Sequence, residues 1–417
     1  IERSGGRVGV GDQVGLAGLQ RMYDGWLAGT PGLEIKAVGT DAAGKTSSRV
    51  LFTQDAVPGK PIATTIDVDA QSAAETVLAG VTATQGALVA IRPSTGEILA
   101  AANSPGTASQ QVALTGRAAP GSTFKVVSSL ALLRAGLTPD SPVPCEPTIV
   151  VDGRTFKNYG DYPPDRLGTI PLRQALAQSC NTAFISQQAG ISQDDLADAA
   201  AALGIGVDFD LGAPSFLGSV PRQATKTEHA ASMIGQAKVE ASALTMAIVT
   251  GSVVKGATLV PRIIDRSAGL AVTPVAAPAA TGTASGATPP AGTTSPSAAA
   301  PSAPAPSPAA SSAPTPSALP TAPPAPAKPL TDAEAQALRS MLAAVVSDGS
   351  GRLLAGMGVG GAKTGTAEYG SDSPPRVHAW MIAYRGDLAV AVYVADGEGG
   401  SRTAGPLMKA FLAAYSG

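Results

Sequence analysis

Cysteine and histidine are both scarce in this chain, with two residues of each among 417. Cys145 and Cys180 are too few for a disulfide-rich scaffold, and their spacing does not indicate a structural metal site. His229 and His378 are the only imidazoles, so a catalytic zinc centre or a histidine-based triad is poorly supplied. The sequence therefore predicts chemistry that uses neither a metal nor a cofactor.

Charge is also sparse, at 14% of residues, and the formal net charge is -2. A nucleic-acid-binding protein would show a basic excess or a basic stripe, so this class is not expected. The sequence has no apolar run of about 20 residues that would cross a membrane, and no signal-peptide pattern. Because the chain opens at Ile1 without an initiator methionine, we interpret it as a fragment or a processed form.

Hydrophobic periodicity predicts strands and helices in alternating blocks, which is typical of a sheet flanked by helices. Strands are expected at 33–38, 49–54, 87–92, 97–102, 359–368, 377–384 and 388–395. Helices are expected at 71–78, 124–137, 331–346 and 404–415, with two or more in 170–205.

Residues 272–329 are dominated by proline, alanine, serine and threonine. Such a segment cannot bury enough apolar surface to offset its ordering entropy. We predict a disordered insertion inside one domain that spans residues 61–417. A linker between two domains is the alternative, but parts of the candidate site lie on both sides of the segment.

Three short motifs occur in one order along the chain. The first motif is Ser122-Thr123-Phe124-Lys125, the second is Ser179-Cys180-Asn181, and the third is Lys363-Thr364-Gly365 followed by Thr366. Any one of them alone is a weak signal. Together and in this order they are a strong signal for catalysis by a serine nucleophile.

The first motif supplies a nucleophile and its base. A serine hydroxyl is a weak nucleophile until a neighbouring base removes its proton. Ser122 and Lys125 would share one face of a helix, so the amine can reach the hydroxyl. A buried lysine near a second cation, here Lys363, has a lowered pKa and can serve as that base. The helix start after Pro120-Gly121 would favour negative charge developing at the serine.

The other two motifs supply the remaining groups of the predicted site. Ser179 can pass protons, and Asn181 can orient the base and the substrate amide through hydrogen bonds. The segment Lys363–Thr366 can hold a substrate carboxylate, and its extended backbone can pair with an extended peptide. We predict that the backbone N–H groups of Ser122 and Thr366 form an oxyanion hole.

Two further motif matches are weaker. Ser252-Val253-Val254-Lys255 lies out of order with no Pro-Gly before it, and we interpret it as the end of a helix. Residues 39–46 match the phosphate-binding loop of nucleotide-binding proteins. That loop needs a helix after it, whereas residues 47–53 are strand-like. A polar hairpin turn is the preferred interpretation, and a nucleotide-binding module around Lys45 is the alternative.

With its motifs in this order, the chain resembles the monofunctional, class B-like penicillin-binding proteins. The likeness extends to Thr65-Ile66-Asp67, Ser94–Ala100, Phe156–Tyr159, Ile234-Gly235-Gln236 and His378-Ala379-Trp380. It implies a β-lactamase/transpeptidase-like α+β fold, in which a five-stranded antiparallel sheet is flanked by helices and an all-helical part holds the second motif. Residues 1–60 would be the end of a small, β-rich, non-catalytic N-terminal region.

The resemblance also implies an activity. The family serine attacks the penultimate D-Ala carbonyl of a stem peptide, releases the terminal D-Ala, and passes the acyl group to an amine or to water. The chain would then be a peptidoglycan D,D-transpeptidase that β-lactams acylate at Ser122. It would act on the outer face of the cytoplasmic membrane through an N-terminal anchor, with a glycan polymerase or a division protein as a candidate partner. The alanine-rich composition, with more arginine than lysine, favours an actinobacterial source.

Alternatives stay open at this level. A β-lactamase or a D,D-carboxypeptidase would share the nucleophile, although no convincing Glu-x-x-x-Asn follows the second motif to activate water. A non-enzymatic β-lactam sensor would be acylated once and signal. We interpret Cys180 as a small buried thiol, with a disulfide to Cys145 as the alternative in an oxidising exterior. His378 is expected to pack or hydrogen-bond beside the active-site strand.

Overall fold

The structure is a computed structural model that describes residues 14–265, 326–372 and 374–416. Its strands are β1 (Leu33–Thr40), β2 (Thr46–Gln54), β3 (Gly86–Arg92), β4 (Glu97–Asn103), β5 (Pro142–Cys145), β6 (Thr148–Val151), β7 (Arg154–Lys157), β8 (Gly168–Pro171), β9 (Gly361–Tyr369), β10 (Arg376–Arg385) and β11 (Leu388–Val394). Its α-helices are α1 (Gly18–Met22), α2 (Asp24–Ala28), α3 (Val68–Leu78), α4 (Val112–Thr115), α5 (Lys125–Arg134), α6 (Leu172–Ala177), α7 (Asn181–Ser186), α8 (Gln193–Ala202), α9 (Lys226–Ser232), α10 (Ala243–Lys255), α11 (Asp332–Asp348) and α12 (Gly405–Ala414).

Within these described ranges, no helix combines the length and the apolar character needed to cross a bilayer. The insertion predicted at 272–329 falls almost wholly outside the described residues, so it stays a prediction. The same holds for the domain limits at 1–60 and 61–417.

Five strands form one antiparallel sheet in the order β4-β3-β11-β10-β9. The inner strands β3 and β11 are buried along almost their whole length. They are continuous apolar runs, as expected for strands that are covered on both faces. β9, which carries the third motif, lies at one edge of the sheet.

Helices cover both faces of this sheet. α3 and α12 share a hydrophobic core with one face, which presents Leu88, Met381 and Val390. α10 lies on the opposite face, where a Cβ added at Gly251 would sit 3.8 Å from Ala389 Cβ. α10 is buried from its first residue to Val253, consistent with a helix that is apolar nearly all round. The predicted antiparallel sheet of five strands between helices is confirmed.

The part that holds the second motif is mainly helical, but it is not all-helical. Residues 142–171 also form two antiparallel pairs, β5 with β8 and β6 with β7. Each of these strands has four residues. Runs of that length are too short for sequence periodicity to separate a strand from a loop, so the prediction missed them.

β1 and β2 form an antiparallel hairpin in which every residue is exposed. Asp41 closes its turn, because the backbone N–H groups of Ala43 and Lys45 donate to the Asp41 carboxylate at 3.0 and 2.9 Å. A strand follows this turn instead of a helix. The match to the phosphate-binding loop is therefore a polar hairpin turn, as preferred from the sequence.

Candidate active site

Ser122 lies in a single 3₁₀ turn, Gly121–Phe124, that runs directly into α5. Gly121 has a φ of +53°, and its backbone N–H donates to Gly235 O at 2.9 Å. A Cβ added at Gly235 would sit only 2.2 Å from Gly121 O. Glycine at 235 thus allows the backbone approach that fixes the turn before the predicted nucleophile.

The third motif abuts this turn. A Cβ added at Gly365 would sit 2.7 Å from Pro120 O and 2.8 Å from Thr123 Cγ2. A Cβ added at Gly121 would sit 2.4 Å from Thr366 O. The residues on either side of Ser122 therefore contact the edge strand β9 itself, which brings the first and third motifs together.

The amine of Lys125 reaches the second motif. Lys125 Nζ donates to Ser179 O at 2.7 Å and to Asn181 Oδ1 at 2.8 Å, and it lies 3.3 Å from Ser179 Oγ. The whole Lys125 side chain is buried. All three acceptors come from one motif, which is 54–56 residues further along the chain.

The amine of Lys363 reaches the same hydroxyl from the other side. Lys363 Nζ donates to Ser179 Oγ at 2.9 Å and to Thr364 O at 2.8 Å, and its side chain is fully buried. Two buried amines therefore converge on Ser179. The side chains of Lys125, Ser179, Asn181 and Lys363 form one connected polar network, as the spatial prediction from the three motifs requires.

This burial changes the electrostatics of both lysines. Burial lowers the pKa of Lys363 to about 7, because the charged ammonium is taken out of water. Burial, and then the charge of Lys363, hold the pKa of Lys125 well below its usual range. Near neutral pH a neutral amine is therefore available to accept a proton.

Ser122 itself makes no side-chain hydrogen bond within the part of the chain that the structure describes, and it is half-buried. The direct contact between Lys125 and Ser122 that the helical spacing predicts is thus not made here. Catalytic hydrogen bonds are often long before substrate binds. The predicted oxyanion hole of the Ser122 and Thr366 N–H groups also stays a prediction.

The second motif has a strained backbone and a support that sequence reasoning did not assign. Ser179 has a φ of +59°, in the left-handed region that few non-glycine residues adopt. Asn158 Oδ1 accepts the backbone N–H groups of Asn181 and Thr182 at 2.8 and 3.2 Å. The resemblance singled out the segment 156–159, but only the folded chain shows that Asn158 supports the motif.

The two cysteines form a disulfide, so the interpretation of Cys180 as a buried thiol is wrong. Their Cα atoms lie 6.2 Å apart, within the range that a disulfide spans. Cys145 ends β5 and Cys180 precedes α7, and both residues are fully buried. Sequence alone could not place these two elements side by side.

Two contacts around the third motif were also missed. Ser350 Oγ lies 2.6 Å from Thr364 Oγ1, and Thr366 Oγ1 accepts the backbone N–H of Gly400 at 3.3 Å. Thr366 is exposed at the edge of the sheet. His378 packs beside this strand as expected: its ring stacks on Tyr369 with centroids 3.8 Å apart.

Comparison with known proteins explains this geometry. A family model of the penicillin-binding-protein transpeptidase domain matches residues 86–413. This chain belongs to that family. Peptidoglycan D,D-transpeptidase PbpA of Mycolicibacterium smegmatis is 30% identical over 376 residues, which cover 79% of this chain and 67% of the relative. PbpA of Mycobacterium tuberculosis is 36% identical over 149 residues, and this match covers 29% of this chain and 30% of the relative.

Solved structures agree on the fold. Penicillin-binding protein A of M. tuberculosis, a ceftriaxone acyl-enzyme complex, matches with a TM-score of 0.65 at 24% identity, covering 86% of this chain and 80% of that one. A chain of a peptidoglycan synthase complex matches with a TM-score of 0.70 at 25% identity, covering 99% and 72%. The family and the fold predicted from the sequence are confirmed.

In this penicillin-binding-protein domain, one ion pair joins segments on opposite sides of the motifs. Arg402 Nη2 lies 3.0 Å from Asp161 Oδ2, with side chains 64% and 73% exposed. Asp161 follows the Asn158 support of the second motif, and Arg402 follows Gly400, which contacts Thr366. The pair therefore links the wall formed by the second motif to the wall formed by β9.

Because the pair ties the two walls together, weakening it should ease the entry of a bulky β-lactam. The acylation rate should therefore rise, but only slightly. We expect Arg402→Gln to be faster than wild type at low salt by less than about threefold, since an exposed pair is worth under about 1 kcal/mol. The difference should vanish at about 1 M salt, where screening acts within about 3 Å. The second-order rate of labelling by fluorescent penicillin measures this.

The matched control is Arg222→Gln, which removes an exposed arginine that pairs with Asp194 and Asp198 on α8. Its acylation rate should equal that of wild type at both salt concentrations. A slower Arg402→Gln variant, or a rate difference that survives high salt, would show that the pair does not restrict access of the β-lactam to Ser122.

Proposed function

We propose that this chain is a peptidoglycan D,D-transpeptidase that forms an acyl-enzyme on Ser122 and is acylated at the same atom by penicillins. The observation that carries the proposal is the convergence of two buried amines, Lys125 and Lys363, on Ser179 beside the Ser122 turn. Family membership and the named activity of the mycobacterial relatives support the same reaction.

In the first half-reaction, neutral Lys125 takes the proton from Ser122 Oγ as the oxygen attacks the penultimate D-Ala carbonyl. The backbone N–H groups of Ser122 and Thr366 stabilise the oxyanion that forms. When this intermediate collapses, the C–N bond breaks and the leaving nitrogen needs a proton. Ser179 delivers it and is reprotonated from Lys125, so the proton of Ser122 leaves on the terminal D-Ala.

In the second half-reaction, an amine of a neighbouring stem peptide attacks the ester carbonyl. Its proton returns along the same route to Ser122 Oγ, which is the leaving group. Water in place of the amine would give hydrolysis. In a β-lactam the cleaved nitrogen stays attached to the acyl group, so the leaving group remains in the site and the adduct persists.

Substrate is held by the third motif. β9 is an edge strand, so its free side can pair with the extended backbone of a stem peptide. We assign the terminal D-Ala carboxylate to the hydroxyls of Thr364 and Thr366 next to the Lys363 ammonium. Asn181, whose Oδ1 accepts from Lys125, presents its amide to the peptide and orients the base.

The setting we propose is the outer face of the cytoplasmic membrane. A disulfide persists where the surroundings are oxidising, and the Cys145–Cys180 bond supports such a location. The structural match to a chain of a peptidoglycan synthase complex supports a partner that polymerises glycan. Stem peptides would supply both the D-Ala-D-Ala donor and the diamino-acid acceptor.

A paired assay tests the proposal. Incubated with a D-Ala-D-Ala stem peptide and a diamino-acid acceptor, the protein should release D-Ala and form the cross-linked product, both followed by liquid chromatography and mass spectrometry. Penicillin should add its mass to the intact protein, on the peptide that contains Ser122. Release of D-Ala without transfer would indicate a carboxypeptidase, and an adduct that hydrolyses within seconds would indicate a β-lactamase.

A further inference from the structure

The Cys145–Cys180 disulfide joins the middle of the second motif to the end of β5. We propose that it is a positioning element: it holds the second motif against the two buried lysines and thereby sets the acylation rate. This inference rests on the function proposed above. It adds Cys145, a residue outside all three motifs, to the groups on which the reaction depends.

Cys180 supports the second motif from the side that faces away from Lys125. Its neighbours Ser179 and Asn181 direct their side chains to Lys125, whereas the Cys180 sulfur caps α7 by accepting the backbone N–H of Ala183 at 3.4 Å. Within the described residues, the polar contacts of this sulfur are with Asn158, Thr182 and Ala183, away from the reacting groups. Displacement of Cys180 would instead move both of its neighbours, because they are bonded to it through the backbone.

The motif needs such support, because its backbone is strained and its hydrogen-bond acceptors must stay in place. Ser179 holds a left-handed backbone conformation that costs conformational energy. Its hydroxyl and carbonyl accept hydrogen bonds from the buried amines of Lys363 and Lys125, so a small shift of this segment would break both contacts. A strained segment persists only where its surroundings over-determine it.

The wall behind the motif depends on its attachment to α6 and α7, against which it packs. It consists of the two-stranded pairs β5–β8 and β6–β7, and isolated two-stranded sheets are marginal in water. Asn158, which supports Asn181 by a hydrogen bond, belongs to the same wall. The disulfide ties this wall to α7, so that the wall and the motif keep one relative position.

Burial makes the disulfide a permanent support and not an exchange site. Both cysteines have 0% exposure, and thiol–disulfide exchange requires a thiolate to reach a sulfur. A soluble dithiol should therefore leave the acylation rate of the folded protein unchanged over minutes. Breaking the bond needs a substitution at either end.

The test compares Cys145→Ala and Cys180→Ala with wild type in single-turnover acylation by penicillin. Each variant should lose about 10- to 100-fold in rate constant, since a displacement near 1 Å can cost that much. The burst amplitude counts folded molecules and the rate constant reports positioning, so partial unfolding does not obscure the result. Breaking the bond from either end should give the same loss.

A pH profile separates positioning from a general loss of stability. Withdrawal of Ser179 and Asn181 removes acceptors that favour charged Lys125, so the acid limb of the profile should move to lower pH while its plateau falls. Leu78→Ala, which opens a cavity in the buried core far from the motifs, is the control. It should destabilise the fold and leave both the rate constant and the profile unchanged.

Rate constants of both cysteine variants within twofold of wild type would overturn this inference alone. A loss that Leu78→Ala reproduces would also overturn it, because the disulfide would then act only through stability. If wild type is not acylated by penicillin at all, the proposed function fails and this inference fails with it. The three outcomes are distinct, since wild type and all variants are measured side by side.

Discussion

Replacing Ser122 with alanine should abolish covalent labelling by penicillin, with a loss of at least about 10⁴-fold, because no other group forms the acyl bond. The fold should survive, since Ser122 makes no side-chain hydrogen bond within the described residues and is only half-buried. Intact-protein mass spectrometry should show the unmodified mass after incubation. Circular dichroism should show an unchanged thermal transition to within a few degrees.

The control for this variant is Lys45→Ala in the exposed β1–β2 hairpin. It removes the lysine of the literal phosphate-loop match, and it should leave penicillin labelling unchanged. An adduct on Ser122→Ala that maps to another residue would contradict the assigned nucleophile. ATP binding that depends on Lys45 would revive the nucleotide-binding alternative, which the hairpin geometry at Asp41 disfavours.

The strands of the central sheet were predictable because buried strands appear in the sequence as continuous apolar runs. β3, β11 and the inner part of β10 are continuous apolar runs, and each was expected within two residues of its observed ends. The capping box of α11, Thr331 with Glu334, likewise marks a helix start that sequence alone reveals. Local chemistry determines these elements, so a local pattern is enough to find them.

The sequence predicts which residues make up the candidate site, but it does not predict their geometry. Motif order identified Lys125, Ser179 and Lys363, yet the hydrogen bonds that join them span 54 and 184 residues. Sequence periodicity does not encode contacts between residues so far apart in the chain. The left-handed backbone of Ser179 and the 2.6 Å contact of Ser350 with Thr364 depend on tertiary packing in the same way.

The disulfide, which the sequence left as the alternative to a buried thiol, could not be decided for the same physical reason. Cys145 lies on a four-residue strand whose pairing partner, β8, begins 23 residues later. Until β5 and the start of α7 are packed together, two cysteines 35 residues apart have no distinguishing mark. Two cysteines are too few for a disulfide-rich scaffold. Their number alone does not show whether they form a single bond.

Lys125→Met should lower acylation by about 10²- to 10⁴-fold, the range expected when a general base is lost. Methionine keeps the volume of the buried side chain and removes its charge. Wild type should show an acid limb in its pH profile, because Lys125 works as the neutral amine and burial and Lys363 hold its pKa well below the usual range. The variant should lose that limb together with its activity.

Stability should rise with pH as activity does, because both depend on the neutral form of the buried lysines. The pKa of Lys363 is about 7 in the folded state and about 10.4 when unfolded, so between these values the unfolded chain binds more protons. The free energy of unfolding should therefore rise with pH in this window, by at most about 1.4 kcal/mol per pH unit for each such lysine. Below it both states are protonated, and the full cost of burying the charge remains.

Lys125→Met should flatten this rise, because one of the two lysines with a lowered pKa no longer titrates. Denaturant unfolding at about pH 7 and pH 9.5 measures the slope. Lys255→Met is the matched control: Lys255 ends the out-of-order Ser-x-x-Lys match and is exposed, so it should change neither acylation nor slope. A Lys125→Met protein that acylates at the wild-type rate would remove the base from the mechanism. A wild-type free energy of unfolding that falls between pH 7 and 9.5 would show that burial does not lower these pKa values. Lys125 would then be charged near neutral pH and could not act as the base.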